Sequence, residues 1–363
     1  MKFTVEVTAL SGLVNRACEI AVKKDAQPIL QNILLDASHA SLAITSTDLD
    51  RWFTQSVPAR VTEPGAITVP SQMLKNIVRK LPAGGQVAAE LDDPAMSLRC
   101  GRSRFKLPTL PAADFPAPRF DNAPYHFSIT AANMTRLFKQ TGIAMADEIA
   151  RYYLCGVYLQ PNNGRLRGTA TTGSVLARVD VDIGPATEFP GVILPRETIF
   201  ALTSLFGKSD DPLLFEFSTT ICKISCGATT LISKFIEGTF PDCDRVIPDA
   251  ANGTVLKAKL VDLHDAIDRV GVVVDDGRGV CLILAKDSAV ISTFNRATQI
   301  GAANEEIDVQ FAGKLAIGVN PKFALNVIDC LDGDIVEIHL NGPGDNFLFT
   351  GTDAVFVISP MRV

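Results

Sequence analysis

The sequence lacks the residue clusters on which most enzymes depend. It has no GxxxxGK phosphate loop followed by Ser or Thr, and no GxGxxG, GxSxG or HExxH motif. Asp48 and Asp50 follow a predicted strand, where a solvated turn or a helix cap accounts for them better than a metal site does. The few histidines are far apart, at His39, His126, His264 and His339. We expect no catalytic residue, no metal and no cofactor.

Closely spaced cysteines are also missing. The eight cysteines are scattered singly and form no CxxC pair. Cys222 and Cys226 would share one face of a strand, but no histidine or second cysteine pair completes a zinc site. The pattern predicts free, mostly buried thiols in a reducing compartment.

Long apolar runs are absent. The stretches 270–274 and 280–285 are far shorter than the ~20 residues that cross a bilayer. Residues 1–6 alternate charged and apolar side chains, which predicts a strand and not a signal peptide. With 47% hydrophobic and 20% charged residues, the chain should be a well-packed protein. We expect it to be soluble and cytoplasmic, with no membrane partner.

A strand followed by an amphipathic helix occurs three times in this chain. Apolar residues three and four apart predict one buried stripe on each helix. The strands begin at Phe3, Phe127 and Val255, and the apolar stripes begin at Leu10, Met134 and Leu260. Two strands follow in each copy, and the second of them starts at Leu42, Leu166 and Ala289. The spacing of 124 and 123 residues indicates an internal repeat.

A proline marks a second helix in each copy, at Pro70, Pro195 and Pro321. Proline suits a helix start because its missing N–H would be unpaired there. The predicted helices cover roughly 71–80, 196–206 and 322–331. The repeat therefore predicts three α+β domains, each with two helices and about eight strands, in which helices cover one face of continuous sheets.

The net charge of −6 argues against a nucleic-acid partner unless the charges are segregated. The six predicted helical segments, 9–24, 71–80, 131–141, 195–208, 257–270 and 321–331, contain fourteen Lys or Arg and six Asp or Glu. This excess predicts basic helices that follow phosphates, although Lys and Arg also favour solvent-exposed helix faces. Asp262, Asp265 and Asp268 weaken the pattern in the third copy.

Several runs are long enough to identify a family. They are 1–6, 28–30 with Asn32, 47–49, 101–105, 109–116, 151–154, 240–242 with Arg245 and Val246, and 360–362. Over its full length the chain resembles the β subunit of bacterial DNA polymerase III, the sliding clamp. The resemblance implies a non-enzymatic processivity factor for DNA replication.

The resemblance also implies an architecture. Three repeated clamp domains, at 1–121, 122–249 and 250–363, would each contain two helices and antiparallel sheets. Two chains would join head to tail in a dimeric ring with helices lining the hole. The interface would contain Phe105 and Leu107 of one copy and Val272, Val273, Glu305 and Glu306 of the other. Ordinary core packing is the alternative for the apolar residues.

For DNA, the resemblance implies double-stranded DNA bound without sequence preference. The implied contacts are Lys24, Arg151, Tyr152, Tyr153, Arg196 and Arg245. Two tyrosines beside an arginine suit a sugar-phosphate or an exposed base. The alternative is a strand end anchored by amphipathic side chains.

For protein partners, the resemblance implies a hydrophobic pocket for short peptides. The partners would be the α subunit of DNA polymerase III, the δ subunit of the clamp loader and other proteins with a clamp-binding motif. Apolar peptide anchors gain affinity when such a cleft desolvates them. The implied pocket residues are Leu154, Thr171, Gly173, Ser174, Leu176, Pro241, Arg245, Val246, Val357, Ser359, Pro360, Met361 and Arg362.

One run departs from the family. Members commonly have Asp-Gly-His-Arg-Leu-Ala where this chain has Thr172-Gly173-Ser174-Val175-Leu176-Ala177. We expect an altered peptide preference, and a divergent second copy of the clamp is an alternative to the principal one. A scaffold that binds proteins without DNA would explain the repeats and the pocket, but not basic helices.

Overall fold

The computed structural model describes residues 1–92, 94–184, 186–274, 278–293 and 301–362. The predicted strand end at Phe294 and the terminal Val363 lie outside these ranges. Within them, the predicted order of strands and helices recurs three times.

The elements of the three copies are as follows. The first copy contains β1 Lys2–Glu6, α1 Val7–Ile20, β2 Asn32–Ser38, β3 Ser41–Thr47, β4 Arg51–Pro58, β5 Arg60–Glu63, β6 Gly65–Pro70, α2 Ser71–Val78, β7 Gln86–Asp92, β8 Ala95–Cys100, β9 Ser103–Pro108 and β10 Leu110–Pro111. The second contains β11 Tyr125–Ile129, α3 Ala131–Gly142, β12 Gly156–Asn162, β13 Arg165–Thr171, β14 Val175–Asp182, β15 Val192–Pro195, α4 Arg196–Phe206, β16 Leu213–Phe217, β17 Ile221–Cys226 and β18 Thr229–Lys234. The third contains β19 Thr254–Lys259, α5 Leu260–Gly271, β20 Val280–Leu284, β21 Ser288–Thr293, β22 Asn304–Gln310, β23 Leu315–Val319, α6 Pro321–Ile328, β24 Ile335–Leu340, β25 Phe347–Gly351 and β26 Ala354–Ile358.

Apolar periodicity explains both kinds of element. In α1, Leu10, Leu13, Val14 and Ala17 are buried, which is the spacing of one helical face. In β3, burial rises at every second residue, as expected where a strand has one face on the core. The core therefore lies between the helices and the sheets, and α1 packs on β3 and β4.

The chain folds into two compact units, because sheets join neighbouring copies. Unit 1 comprises 1–132, 183–189 and 197–235, and unit 2 comprises 133–182, 190–196 and 236–363. Among the described residues, unit 1 has a five-stranded sheet, β5-β1-β7-β8-β9, and a nine-stranded sheet, β10-β6-β2-β3-β4-β18-β17-β16-β11. The sheet of unit 2 has the order β15-β12-β13-β14-β26-β25-β24-β19-β22-β21-β20-β23.

Two junctions between copies have the same geometry. In unit 1, the fourth strand of the first copy, β4, pairs antiparallel with the last strand of the second copy, β18, and Phe53 lies opposite Leu231. In unit 2, β14 pairs antiparallel with β26, and Ala177 lies opposite Phe356. Each junction therefore joins the fourth strand of one copy to the last strand of the next.

The helix boundaries correct the predicted charge pattern. Helix α1 ends at Ile20, so Lys24 lies in the following loop, and α5 begins at Leu260, so Lys257 and Lys259 belong to β19. The described helices contain seven basic residues, at 16, 75, 136, 139, 196, 269 and 322, and five acidic ones, at 19, 197, 262, 265 and 268. The helices are thus only weakly basic, and much of the predicted excess lies in the segments that flank them.

All eight cysteines are free thiols, as their spacing predicted, and six of them are buried. Cys222 is enclosed in unit 1, and burial raises its pKa to about 12. No helix within the described ranges is long and apolar enough to cross a membrane.

Candidate peptide pocket and DNA-contact segment

Four chain segments of unit 2 surround a cavity of about 200 Å³. They are the turn between β13 and β14, the loop that follows Phe240, the loop between β24 and β25, and the end of β26. The lining residues are Thr171, Gly173, Ser174, Val175, Leu176, Pro241, Asp242, Cys243, Val246, Asn346, Val357 and Ser359. Small and branched side chains dominate this lining, which suits apolar peptide anchors.

The turn between β13 and β14 is closed by two threonine hydroxyls. Thr171 Oγ1 donates to the carbonyl oxygen of Val175 at 2.8 Å and accepts from the N–H of Gly173 at 3.0 Å. Thr172 Oγ1 accepts from the N–H groups of Ser174 and Val175 at 3.2 and 3.1 Å. Gly173 has a φ of +94°, a left-handed conformation that glycine adopts without strain. The sequence therefore builds this wall from two threonines and one glycine.

The floor of the cavity is a small apolar core. Leu176, Cys243, Leu348 and Val357 are buried together, and Leu176 lies opposite Val357 across β14 and β26. Burial raises the pKa of the Cys243 thiol, which keeps this group neutral at neutral pH. The floor thus lies on a junction between two copies of the repeat.

The opposite wall, residues 241–246, is fixed by polar contacts. Arg178 Nη1 of β14 lies 2.6 Å from Asp244 Oδ1, and Asn346 Nδ2 donates to the carbonyl oxygen of Val246 at 3.1 Å. Arg245 Nε lies 3.0 Å from Asp242 Oδ2, and the Arg245 side chain is 84% exposed.

The end of the chain is held by two backbone hydrogen bonds, one at the turn of the cavity and one at β23. The N–H of Ser359 donates to the carbonyl oxygen of Ser174 at 2.8 Å, and the N–H of Met361 donates to that of Gly318 in β23 at 2.9 Å. These hydrogen bonds therefore hold the apolar C-terminal tail against unit 2.

Most residues predicted for the pocket lie at this cavity. It is lined by Thr171, Gly173, Ser174, Leu176, Pro241, Val246, Val357 and Ser359. Five other predicted residues are not part of its lining: Leu154, Arg245, Pro360, Met361 and Arg362. Val175, Asp242, Cys243 and Asn346 line it and were not predicted. The first three are sequence neighbours of predicted residues, whereas Asn346 has no sequence signal.

The segment predicted to contact DNA is a short 3-10 turn, Ile149–Leu154. Tyr152 is 54% exposed, and its ring meets that of Tyr153 edge to face at 5.9 Å. Leu154 is buried, and its carbonyl oxygen accepts from the N–H of Ala146. The turn therefore exposes an aromatic side chain on an anchored backbone.

The basic residues predicted to contact DNA differ in their exposure and in their contacts within the chain. Lys24 is exposed in a loop of unit 1. In unit 2, Arg196 is half-buried and donates to the carbonyl oxygen of Met145 at 3.3 Å. Arg151 Nη2 lies 2.6 Å from Glu148 Oε2.

The residues predicted for the interface lie in separate units of the chain. In unit 1, Phe105 is half-buried on β9, whereas Leu107 on the same strand is 0% exposed. In unit 2, Val272 is 80% exposed after α5, Val273 is half-buried, and Glu306 is exposed on β22. Glu305 accepts hydrogen bonds from Arg269 at 2.6 and 2.9 Å, and these bonds lower the pKa of Glu305.

Repeated α+β copies joined through their sheets, with a cavity at one junction, define a three-domain clamp fold. Three family models match the chain in sequence: the N-terminal domain of the DNA polymerase III beta subunit at residues 1–119, the central domain at 128–242 and the C-terminal domain at 244–361. The chain therefore belongs to the family of DNA polymerase III β subunits, the beta sliding clamps.

Similar proteins cover the chain from end to end. The beta sliding clamp of Caulobacter vibrioides is 34% identical over 378 residues, and that of Escherichia coli K12 is 32% identical over 369 residues, with all of both chains covered in each case. The solved sliding clamp of Bartonella birtlesii bound to griselimycin has a TM-score of 0.95 at 31% identity, covering both chains fully. That of Pseudomonas aeruginosa also has a TM-score of 0.95, at 30% identity and full coverage. The family consists of accessory processivity factors and not of catalytic enzymes.

Proposed function

We propose that two copies of this chain close around duplex DNA and tether DNA polymerase III and other replication proteins through the cavity of unit 2. The single observation that carries the tethering role is the cavity of about 200 Å³ between the 171–176 turn, the 241–246 loop and β26. The proposal also includes three domains, at residues 1–121, 122–249 and 250–363, and a cytoplasmic location.

Closure by a second copy is supported by the repeated junctions. The strands β9, β18 and β26 each follow a two-residue hairpin turn, where Cys100 pairs with Ser103, Cys226 with Thr229 and Gly351 with Ala354. Phe105 is thus equivalent to Leu231 and Phe356, which lie at the two junctions. Among the described residues, β9 pairs only with β8 and ends its sheet. The outer edge of β9 is open for a third junction of the same kind.

The fourth strand of the third copy, β22, pairs with β19 only at Val309 and Gln310, so among the described residues its first part supplies the matching edge. The N–H of Thr293 donates to the carbonyl oxygen of Ala303, which directly precedes β22. Ala303 therefore has the position in the third copy that Phe53 and Ala177 have in the first two. Phe105 of one copy would lie opposite Ala303 of another, and Ser103 would lie opposite Glu305. Arg102 and Arg104 would then flank Glu305 and Glu306, and opposite charges on neighbouring strands are favourable. Leu107 lies on the same face of β9 as Phe105 but is fully buried, so it would contribute to the core beside the interface and not to a direct contact.

DNA contact without base readout follows from the sliding role, because a sliding protein cannot favour one register. Lys24 and the tyrosines of the 149–154 turn support this proposal. Lys24 supplies a positive charge, and the tyrosines supply an exposed aromatic ring. Arg196 and Arg245 already have acceptors in the chain and contribute less.

The peptide role is tested by fluorescence titration of the full chain with a labelled Gln-Leu-Ser-Leu-Phe peptide. We expect saturable binding, because the apolar residues of the peptide become desolvated in the cavity. The matched control is the same peptide with both Leu residues and the Phe replaced by Ala, and it should not bind. Equal binding of the two peptides would refute the pocket assignment.

A further inference from the structure

The turn that forms one wall of the cavity is held from outside by an arginine. Arg151 Nη1 donates to the carbonyl oxygen of Thr172 at 3.1 Å. A Cβ atom added to Gly173 would lie 3.1 Å from the same Nη1, so the guanidinium packs against the turn. Neither Arg151 nor Thr172 is among the described residues that line the cavity. Arg151 therefore contacts the back of this wall and not the space that a peptide would fill.

The guanidinium is itself oriented by a carboxylate. Arg151 Nε and Nη2 donate to Glu148 Oε2 at 2.9 and 2.6 Å, which is short for a charge-assisted pair. The backbone around it is also fixed, because the N–H of Arg151 donates to the carbonyl oxygen of Glu148 and the N–H of Cys155 donates to that of Tyr152. Glu148 thus aims the remaining nitrogen, Nη1, at the turn.

The turn has few other attachments. Its N–H groups at Gly173, Ser174 and Val175 are bonded to threonine hydroxyls within the turn itself. Towards the rest of unit 2, the carbonyl oxygen of Ser174 accepts from the N–H of Ser359. Among the described residues, the hydrogen bonds from Arg151 and from the C-terminal strand therefore attach this turn to the rest of unit 2.

The local charge does not favour a phosphate at Arg151. The segment 147–154 contains Asp147, Glu148 and Arg151, which is a net charge of −1. Phosphate binding requires an excess of positive charge, and the Arg151 guanidinium is already neutralised by Glu148. The exposed side chains of the same segment are apolar or aromatic, at Ile149 and Tyr152.

We propose that Arg151 is a positioning residue of the peptide pocket, which holds the Thr172 to Ser174 turn in its binding geometry, and that it is not a phosphate contact. This inference rests on the proposed function of the pocket. It assigns Arg151 to partner binding, whereas its neighbour Tyr152 is proposed above to contact DNA. Its effect on a peptide is indirect, through the carbonyl oxygen of Thr172.

Three measurements on the full chain test the inference with Arg151→Ala, Arg151→Lys and the control Arg99→Ala. Arg99 is an exposed arginine of β8, in unit 1. The measurements are affinity for the labelled Gln-Leu-Ser-Leu-Phe peptide, amide hydrogen exchange at Gly173, Ser174 and Val175, and the salt dependence of duplex DNA binding. Arg151→Lys retains a donor that can reach Thr172 and should recover part of the affinity.

The expected result separates the pocket from DNA. Arg151→Ala should weaken peptide binding about tenfold, the effect of one lost positioning contact, and should accelerate exchange at the three amides. Its salt slope for DNA should equal that of the wild type, and Arg99→Ala should change neither peptide affinity nor exchange. The inference is overturned if Arg151→Ala keeps wild-type affinity and exchange while the salt slope falls by about one. If the wild type itself fails to bind the peptide, the proposed pocket function falls and this inference falls with it.

Discussion

The backbone N–H of Ser359 donates to the carbonyl oxygen of Ser174 at 2.8 Å, which attaches the C-terminal strand to the turn of the pocket. The two residues belong to different copies of the repeat. The pocket therefore depends on the junction between β14 and β26, and its wall is sensitive to changes at the end of the chain.

Deletion of Met361, Arg362 and Val363 should weaken peptide binding without dissociating the dimer. The deletion removes the bridge from Met361 to Gly318, which holds the tail beside the cavity. We expect a loss of about tenfold in affinity, because the lining residues themselves remain. Titration with the labelled peptide measures the loss, and sedimentation checks the dimer. Wild-type affinity in the truncated chain would show that the tail has no role in the pocket.

Replacement of Phe105 by Ala should convert the dimer into a folded monomer at low micromolar concentration. Truncation of a large apolar side chain at the centre of an interface is costly. Sedimentation velocity gives the mass, with 38.9 kDa expected for the monomer. Leu214→Ala, on a strand of the nine-stranded sheet, is the control for loss of an exposed apolar side chain and should remain dimeric. A dimeric Phe105→Ala protein would exclude this interface.

Neutralisation of Lys24 should lower the salt dependence of DNA binding. Each lost phosphate contact reduces the slope of log affinity against log salt by about 0.9. Lys257 is the matched control, because its ammonium lies 2.5 Å from Glu337 Oε1 on a strand. Equal slopes for Lys24→Ala and the wild type would remove Lys24 from the DNA surface.

The departure at Ser174 and Val175 should set peptide preference. Ser174 is exposed at the rim and Val175 is buried, so this rim carries neither the imidazole nor the guanidinium that is common in the family. Replacement by His and Arg should shift the ranking of peptides towards those with a polar or acidic residue at this wall. A panel of labelled peptides that differ at one position measures the ranking. An unchanged order would show that the departure has no bearing on specificity.

The sequence was sufficient for the repeat but not for every boundary. Lys257 and Lys259 were assigned to a helix, yet they alternate with the buried Leu256 and Ala258, which is strand periodicity. Lys24 was assigned to α1, which ends four residues earlier. Such ends depend on local capping and packing, which apolar spacing does not specify.

The long family runs do not locate the candidate pocket by themselves. Of the predicted residues that line the cavity, only Pro241 and Val246 lie in those runs. The cavity brings Asn346 beside Val246, a contact between residues 100 positions apart that no sequence pattern indicates. For Arg151, the sequence and the structure indicate different roles. Its neighbouring tyrosines suggest contact with DNA, whereas its guanidinium donates to the carbonyl oxygen of Thr172. The domain boundaries stay a prediction, because the sheets fuse neighbouring copies into two compact units.

Retention on circular DNA tests the central claim, encirclement of duplex DNA by two copies, most directly. The full chain is loaded onto primed circular DNA by a bacterial clamp loader, and the bound protein is separated by gel filtration at high salt before and after the circle is cut by a restriction endonuclease. We expect the protein to stay on the circle and to leave once the DNA is linear, because a topological link needs no strong contact. Equal retention on circular and cut DNA, or loss from both, would contradict the account.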